Sequence, residues 1–470
     1  MVITGRKTEQ CALKRVIESE KAEFVAVFGR RRVGKTFLIR EFFNNKFTFY
    51  HTGMANTGMG MQLHSFNASL NSYSKKRYPE ASNWFDSFEQ LRELLSRSRK
   101  NGKKVVFIDE MPWMDTPRSD FVSALEHFWN GWASGQHDVV LIVCGSASSW
   151  MTNKLLNNRG GLHNRVTYQI HLSPFTLSEC EDYYQTHHIE MSRREMVESY
   201  MIFGGIPFYL SLMEKHLSMA QNVDNLIFAE NAALGNEFQN LYNSLFKKAE
   251  NHIKIVEALS SKAKGLTRDE IISASKLSNG GSINRILKEL ELSGFIRRYR
   301  GFGKKSRDCL YQLVDFFTLF YFSFPGNAAY DEHYWTNFIE SARHRAWSGY
   351  AFEQVCLAHL PQIKQKLGIS GVLTNTCSWI SADRKNGAQI DLVIERNDQV
   401  INLCEMKFAN GEFTIDKKMD ENIRHKRTLF REETKTRHAI HVTLITTYGV
   451  KRNQYWGSIQ SEITFNDLFM

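Results

Sequence analysis

Gly29-Arg30-Arg31-Arg32-Val33-Gly34-Lys35-Thr36 fills every position of the pattern G-x-x-x-x-G-K-[ST]. The glycines let the backbone curl so that its N–H groups face a triphosphate, and the helix that follows offers its positive end. Lys35 is then placed to reach the β- and γ-phosphates of ATP, and Thr36 to hold Mg²⁺. Downstream, Lys104-Val105-Val106-Phe107-Ile108-Asp109-Glu110 ends an apolar run in two acids. Asp109 suits the Mg²⁺ shell, and Glu110 suits the base that polarises an attacking water. Ser146 follows another apolar run, Val139–Cys144, and could either sense the γ-phosphate or place that water.

A second constellation lies far along the chain. Asp391 heads the apolar run Ile390-Asp391-Leu392-Val393-Ile394, and Cys404-Glu405-Met406-Lys407-Phe408 sets an acid and a lysine two apart. Residues i and i+2 of a strand share a face, so Glu405 and Lys407 point together, and a neighbouring strand can bring Asp391 beside them. Asp391 and Glu405 could bind a divalent cation, while Lys407 stabilises charge on a scissile phosphate or positions water. Glu353, in Gly349-Tyr350-Ala351-Phe352-Glu353, adds a third acid from a preceding helix.

These groups need elements to hold them. Phe24–Phe28, Phe47–Tyr50, Val105–Ile108, Val139–Cys144 and Val166–Leu172 read as buried strands, with amphipathic stretches such as Phe88–Ser96 and Phe121–Trp132 between them. That alternation predicts an α/β fold with a parallel sheet over residues 1–175. Residues 176–245 look helical, broken at Gly204-Gly205-Ile206-Pro207, and form a helical lid. Residues 246–325 read helix, helix, helix, hairpin, the order of a winged helix-turn-helix. Thr267 with Glu270 caps the second helix, and Ile283, Ile286, Leu287 and Leu290 line the third. Residues 326–345 are expected to be a connector, and 346–470 a second, smaller α/β domain. Its helix spans Ala346–Leu360, with strand-like runs at Ile390–Glu395, Val400–Met406 and Ile440–Thr446.

GRRRVGKT, VVFIDEMPW, VCGSASSWM, LHNRVTYQIHLSPF and GGIPFYL, in this order, resemble the archaeal-type ATPase group, related to the AAA+ and STAND nucleotide switches, over roughly residues 1–325. The resemblance implies Lys35, Thr36, Asp109 and Glu110 in the roles above and Ser146 as a first sensor. It also implies that Arg165 is an arginine reaching the γ-phosphate, although His163-Asn164 departs from the family's usual residues there. Gly205-Ile206-Pro207 matches the turn linking lid to nucleotide state, and Gly5-Arg6 the segment beside the adenine. Residues 346–450 resemble the PD-(D/E)XK, restriction-endonuclease-like fold. That likeness implies Asp391, Glu405 and Lys407 as a catalytic core with Glu353 as its helical glutamate.

Composition bounds the partners. The 470 residues carry a formal net charge of +10, which favours polyanions such as DNA. Arg297, Arg298, Arg300, Lys304, Lys305 and Arg307 cluster in the expected wing, with Tyr299 and Phe302 interleaved. They could meet DNA phosphates beside Asn284, Arg285 and Lys288 of the third helix, or form a hairpin packed on the ATPase. Lys417, Lys418, Arg424, Lys426, Arg427 and Arg431 are mixed with acids and read as an ordinary exposed helix face. The 7 cysteines lack metal-ligand spacing and suit buried thiols in a reducing cytoplasm, and no leader or membrane span is expected. The expectation is an ATP- and Mg²⁺-dependent ATPase that couples nucleotide state to DNA binding and metal-dependent DNA cleavage. The alternative is a switch whose last domain docks DNA or protein, or self-associates, without cutting. Lys35→Ala is expected to abolish ATP turnover, measured as phosphate release.

Overall fold

The computed structural model describes every residue except 1, 100–101, 158–159, 163, 247, 305–307, 325–331, 340 and 384–385. The chain divides into two compact units, Met1–Ser173 and Pro174–Met470.

The first unit is built on five strands, β1 (Glu23–Phe28), β2 (Phe49–Thr52), β3 (Lys104–Asp109), β4 (Val139–Gly145) and β5 (Tyr168–His171). They lie in the order β2-β3-β4-β1-β5, and every pairing is parallel. Strands buried on both faces need unbroken apolar runs, and Phe24, Val106 and Leu141 are fully buried. Trp84, Phe88 and Phe121 pack on one face, with the Trp84 and Phe121 rings 5.0 Å apart. The order has a functional consequence. β4 lies between β1 and β3, so its carboxyl end, carrying Ser146, falls between the loop after β1 and the acids ending β3. The Met59–Tyr73 helix carries no clean apolar stripe, because Gln62 and Asn67 are buried on it. Gln62 is satisfied by Met54 and by the Trp113 carbonyl at 3.0 Å.

The second unit opens with the helices Leu177–Thr186 and Arg193–Phe203, each started by a capping box, Thr176 with Glu179 and Ser192 with Glu195. After the shorter helices Pro207–Leu210, Met219–Val223 and Glu237–Leu245 come Ala249–Ser260, Arg268–Ser275 and Gly281–Leu292, then an antiparallel hairpin of β6 (Ile296–Tyr299) and β7 (Leu310–Leu313). Thr267 and Glu270 form their expected capping box, and Ile283, Ile286, Leu287 and Leu290 are buried. Lys305 and Arg307 lie outside the described residues. Much of the expected connector is helical, as Tyr334–Phe338 and the start of the Ala342–Ala358 helix. Trp335 is buried against Phe320, Phe324 and Trp347 at ring separations of 5.1, 5.1 and 5.5 Å. Aromatic burial of this kind holds a segment down that would otherwise be a free linker.

The last sheet contains β8 (Thr374–Ile380), β9 (Gln389–Arg396), β10 (Val400–Lys407), β11 (Ala439–Thr446) and β12 (Ser461–Thr464), in the order β12-β11-β10-β9-β8. β8, β9 and β10 pair antiparallel, while β10, β11 and β12 pair parallel. The first two helices of the unit are tied to this part. The Leu177 N–H donates to His359 Nε2 at 3.0 Å, and the Arg194 guanidinium lies 5.1 Å from the Phe408 ring centroid. No helix among the described residues is long and apolar enough to cross a membrane.

Gly205 holds a tight turn in this unit, at φ 64°, and its carbonyl accepts from the Phe175 N–H at 2.8 Å. A Cβ there would lie 2.3 Å from the Phe175 carbonyl oxygen. Gly205→Ala should therefore destabilise the second unit by at least about 1–3 kcal/mol, read from a lower denaturant midpoint.

Candidate functional site

The loop after β1 must turn sharply against β5. Gly29 allows this, because a Cβ on it would come within 2.2 Å of the Leu172 carbonyl oxygen. Arg32 and Gly34 are left-handed, at φ 72° and 87°, and the Lys35–Phe42 helix starts directly after them. Lys35 is buried, and its ammonium donates to the Gly29 and Arg30 carbonyls at 3.0 and 2.8 Å. Burial holds its pKa below the ordinary lysine value, against the nearby Cys144, Glu110 and Asp109. Arg30 is buried, Val33 is buried and Arg31 is exposed.

Thr36 and the two acids meet across the sheet. The Thr36 hydroxyl donates to Asp109 Oδ2 at 2.7 Å, and Asp109 Oδ1 accepts from the Glu110 N–H at 2.9 Å. Glu110 is left-handed, at φ 45°, which turns its side chain out of the strand direction. Its Oε1 accepts from the Ser146 hydroxyl at 2.8 Å. A hydroxyl and a carboxylate in contact are hard oxygen donors of the kind Mg²⁺ takes, so the Thr36–Asp109 pair fits that ion. Arg165 does not join this group; it lies exposed in a turn, and His163 beside it is outside the described residues. Arg6 donates to the Val33 carbonyl at 3.2 Å, which sets the Gly5-Arg6 segment against the loop.

Two groups here escaped the sequence reading. His171 ends β5 with its ring 5.1 Å from Phe28, and burial with the Lys35 charge lowers its pKa. Cys144 is fully buried and its thiol is pushed well up, by burial first and then by Asp109. His171 is exposed and Cys144 buried, and nothing in the local sequence marks either as part of this group.

In the second unit the β9–β10 ladder runs to Cys404 opposite Leu392, leaving Glu405 and Asp391 as the next residue on each strand. Glu405 and Lys407 point together as their spacing predicts, with Glu405 Oε1 2.8 Å from Lys407 Nζ. The other oxygen, Oε2, is 2.6 Å from Lys426 Nζ, on the Lys417–Thr434 helix. Burial pushes the Glu405 carboxyl up, but Lys426 and Lys407 outweigh it and hold it below the usual range. Asp391 accepts from the Gln389 amide. Glu353 is raised from 4.5 to about 7, by burial first and then by the Asp391 charge. Among the described residues no three His, Cys, Asp or Glu side chains are grouped to hold a metal ion. With both Glu405 oxygens on ammonium groups, the acids as placed do not fit a divalent cation. Lys426 was read as part of an exposed mixed-charge face. Its register with the buried Ile423 and Phe430 was the available signal.

The basic hairpin is not a free surface throughout. Phe302 packs on Phe430 with ring centroids 5.0 Å apart, and Arg297 turns to Gln312. Arg298 and Arg300 remain exposed. On the third helix, Asn284 accepts from Arg268 of the second helix, and Lys288 pairs with Glu291 at 3.0 Å.

Comparison with known proteins bears on the first unit and beyond it. Residues 4–213 match the model of an ATPase domain found predominantly in Archaea. An uncharacterised protein of Methanocaldococcus jannaschii is 24% identical over 414 residues, 87% of this chain and 88% of its own. An uncharacterised ATP-binding protein of the same organism is 44% identical over 46 residues, 10% of this chain and 78% of its own. Among solved structures, a Walker-type ATPase of Pyrococcus abyssi aligns at 15% identity with a TM-score of 0.47, over 68% of this chain and 96% of that one.

Glu353 makes the second unit pH-sensitive. Between the ordinary 4.5 and about 7 the folded chain holds a proton that the unfolded chain releases, so stability falls as pH rises through that window. Glu353→Gln stays neutral throughout. Its thermal midpoint should match the wild type near pH 4 and exceed it near pH 8; equal midpoints at both would refute the shift.

Proposed function

We propose, from the premise that the chain carries an archaeal-type ATPase domain, that it is an ATP-hydrolysing switch of the AAA+/STAND kind whose nucleotide state governs a hold on DNA. The observation that carries the ATPase part is the paired contact at the strand ends, Thr36 to Asp109 at 2.7 Å and Ser146 to Glu110 at 2.8 Å. Phosphate oxygens of ATP take the place of the Gly29 and Arg30 carbonyls on the Lys35 ammonium. Thr36 and Asp109 would hold Mg²⁺, which would supply positive charge against the phosphates of the nucleotide. Glu110 accepts the proton of the attacking water. Ser146 orients Glu110 before the water arrives, and its hydroxyl exchanges that bond for one to the γ-phosphate when ATP is bound. Arg165, exposed on its turn, is assigned the arginine that approaches the γ-phosphate.

The winged three-helix segment and the last sheet are the effector. Asp391, Glu353, Glu405 and Lys407 make a site for nucleic-acid phosphate, open to two readings. Cleavage needs a metal held by Asp391 and Glu405. Docking needs only cations, and the two ammonium groups on Glu405, at 2.8 and 2.6 Å, favour docking.

Glu110→Gln should slow ATP turnover by about 10²-fold or more while leaving nucleotide affinity near the wild-type value. The same variant, held in its ATP state, should differ from the ADP state in affinity for labelled duplex DNA. Wild-type protein with ATP and Mg²⁺ or Mn²⁺ should leave plasmid DNA intact. Nicking that is lost in Asp391→Ala would establish cleavage in place of docking.

A further inference from the structure

The hairpin of the three-helix segment is seated on the edge of the last sheet. The Phe302 N–H donates to the Ser378 carbonyl at 2.7 Å, and Gly301 bridges Ser378 on β8. Ser378 sits at an irregularity in β8, between Cys377 opposite Val393 and Trp379 opposite Ile390. The hairpin therefore meets the sheet level with the stretch of β9 that holds Asp391. From the other side, Tyr350 lies one turn before Glu353 on the Ala342–Ala358 helix and donates to the Ala263 carbonyl at 3.2 Å. Gln312 of β7 donates to the same carbonyl at 2.6 Å.

Arg297 of β6 lies half-buried at this junction. Its Nε donates to Gln312 Oε1 at 2.8 Å, Nη2 bonds the same oxygen, and the guanidinium is 5.3 Å from the Tyr299 ring centroid. A guanidinium has five N–H donors, so three are left over. Among the described residues they have no hydrogen-bond partner, and no carboxylate lies within ion-pair distance of Arg297. Burial lowers its pKa, and Asp391 is the carboxylate whose charge reaches it. Arg297 is half-buried and stays charged in such a place, so its left-over N–H donors are available to an anion. The forked donors of arginine match phosphate oxygens.

The surrounding charges point the same way. Lys407 and Lys426 share the single carboxylate of Glu405, so this pair of ammonium groups carries an excess positive charge.

We propose that Arg297 is a phosphate-binding residue of the Asp391–Lys407 site, carried there by the hairpin, so that one nucleic-acid backbone is gripped by the three-helix segment and the last sheet together. This rests on the reading of that site as one for nucleic-acid phosphate. It also gives the hairpin a role different from a wing lying freely along a groove. Arg297 is the working cation of the hairpin, and the exposed Arg298 and Arg300 are not.

The test uses the full chain and a fluorescein-labelled duplex oligonucleotide, with anisotropy titrations over a range of salt in ATP and Mg²⁺. Arg297→Gln should weaken binding roughly tenfold and lower the slope of log K against log salt by about one. Arg297→Lys keeps the charge and should keep the slope, which separates loss of a phosphate contact from loss of the Gln312 bond. It also reads out the proposal if the glutamine variant fails to fold. Arg298→Gln should keep the wild-type slope; a loss there equal to that of Arg297→Gln would mean a diffuse basic surface and overturn the proposal. If Lys407→Gln weakens binding and Arg297→Gln does not, the proposal fails while the site stands. If neither variant changes affinity, or the wild type does not bind the duplex, both fail.

Discussion

A charged group carried into the interior by a buried strand must find a compensating partner there, at a cost of several kcal/mol per ion if it does not. The working residues of both units obey this constraint. Asp109 ends a strand in which Val106, Phe107 and Ile108 are fully buried, and its two oxygens are taken by the Thr36 hydroxyl and the Glu110 N–H. Lys35 is satisfied by carbonyls of its own loop. These bonds are made by groups that a nucleotide can replace, so the loop is held in shape without closing the site permanently.

The same constraint takes a different form in the second unit. Glu405 is compensated by two ammonium groups, one from its own strand and one from a helix. Glu353 has no cation in contact and resolves its burial by holding a proton near neutrality. Arg297 is paired to neither acid. Glu405 is held by two ammonium groups, Glu353 titrates near neutrality, Asp391 accepts from the Gln389 amide, and Arg297 has no carboxylate in ion-pair contact among the described residues, an arrangement that does not fit a divalent metal.

The segments of the second unit are bound by contacts that cross their sequence boundaries. His359 accepts the Leu177 N–H, and its own ring, pushed down to about 4 by burial, stays neutral to do so. Trp335 fixes the expected connector, and Phe302 fixes the hairpin to Phe430. The helices Leu177–Thr186 and Arg193–Phe203 are thereby held to this part of the unit by packed side chains and a hydrogen bond rather than by a slack linker. Within the first unit, strand order has the corresponding role. Placing β4 between β1 and β3 is what lets Ser146 touch Glu110 at all.

By itself the sequence determined the nucleotide loop, the strands that end in Asp109 and Ser146, the five-strand alternation of residues 1–175 and the shared face of Glu405 and Lys407. All of these are local: a motif, an apolar run or a two-residue period is written within a few neighbouring positions. The Met59–Tyr73 helix was hidden because Gln62 and Asn67 occupy its buried face, and their burial makes sense only once the Trp113 and Pro79 carbonyls are in place. Lys426 looked like one charge among many on an exposed helix until the fold turned it onto Glu405. Arg297 looked like the start of a basic patch until the hairpin was seated against β8. Tertiary structure alone decided these, because whether a charge is solvated, neutralised or left seeking an anion depends on what other segments bring to within a few ångströms of it.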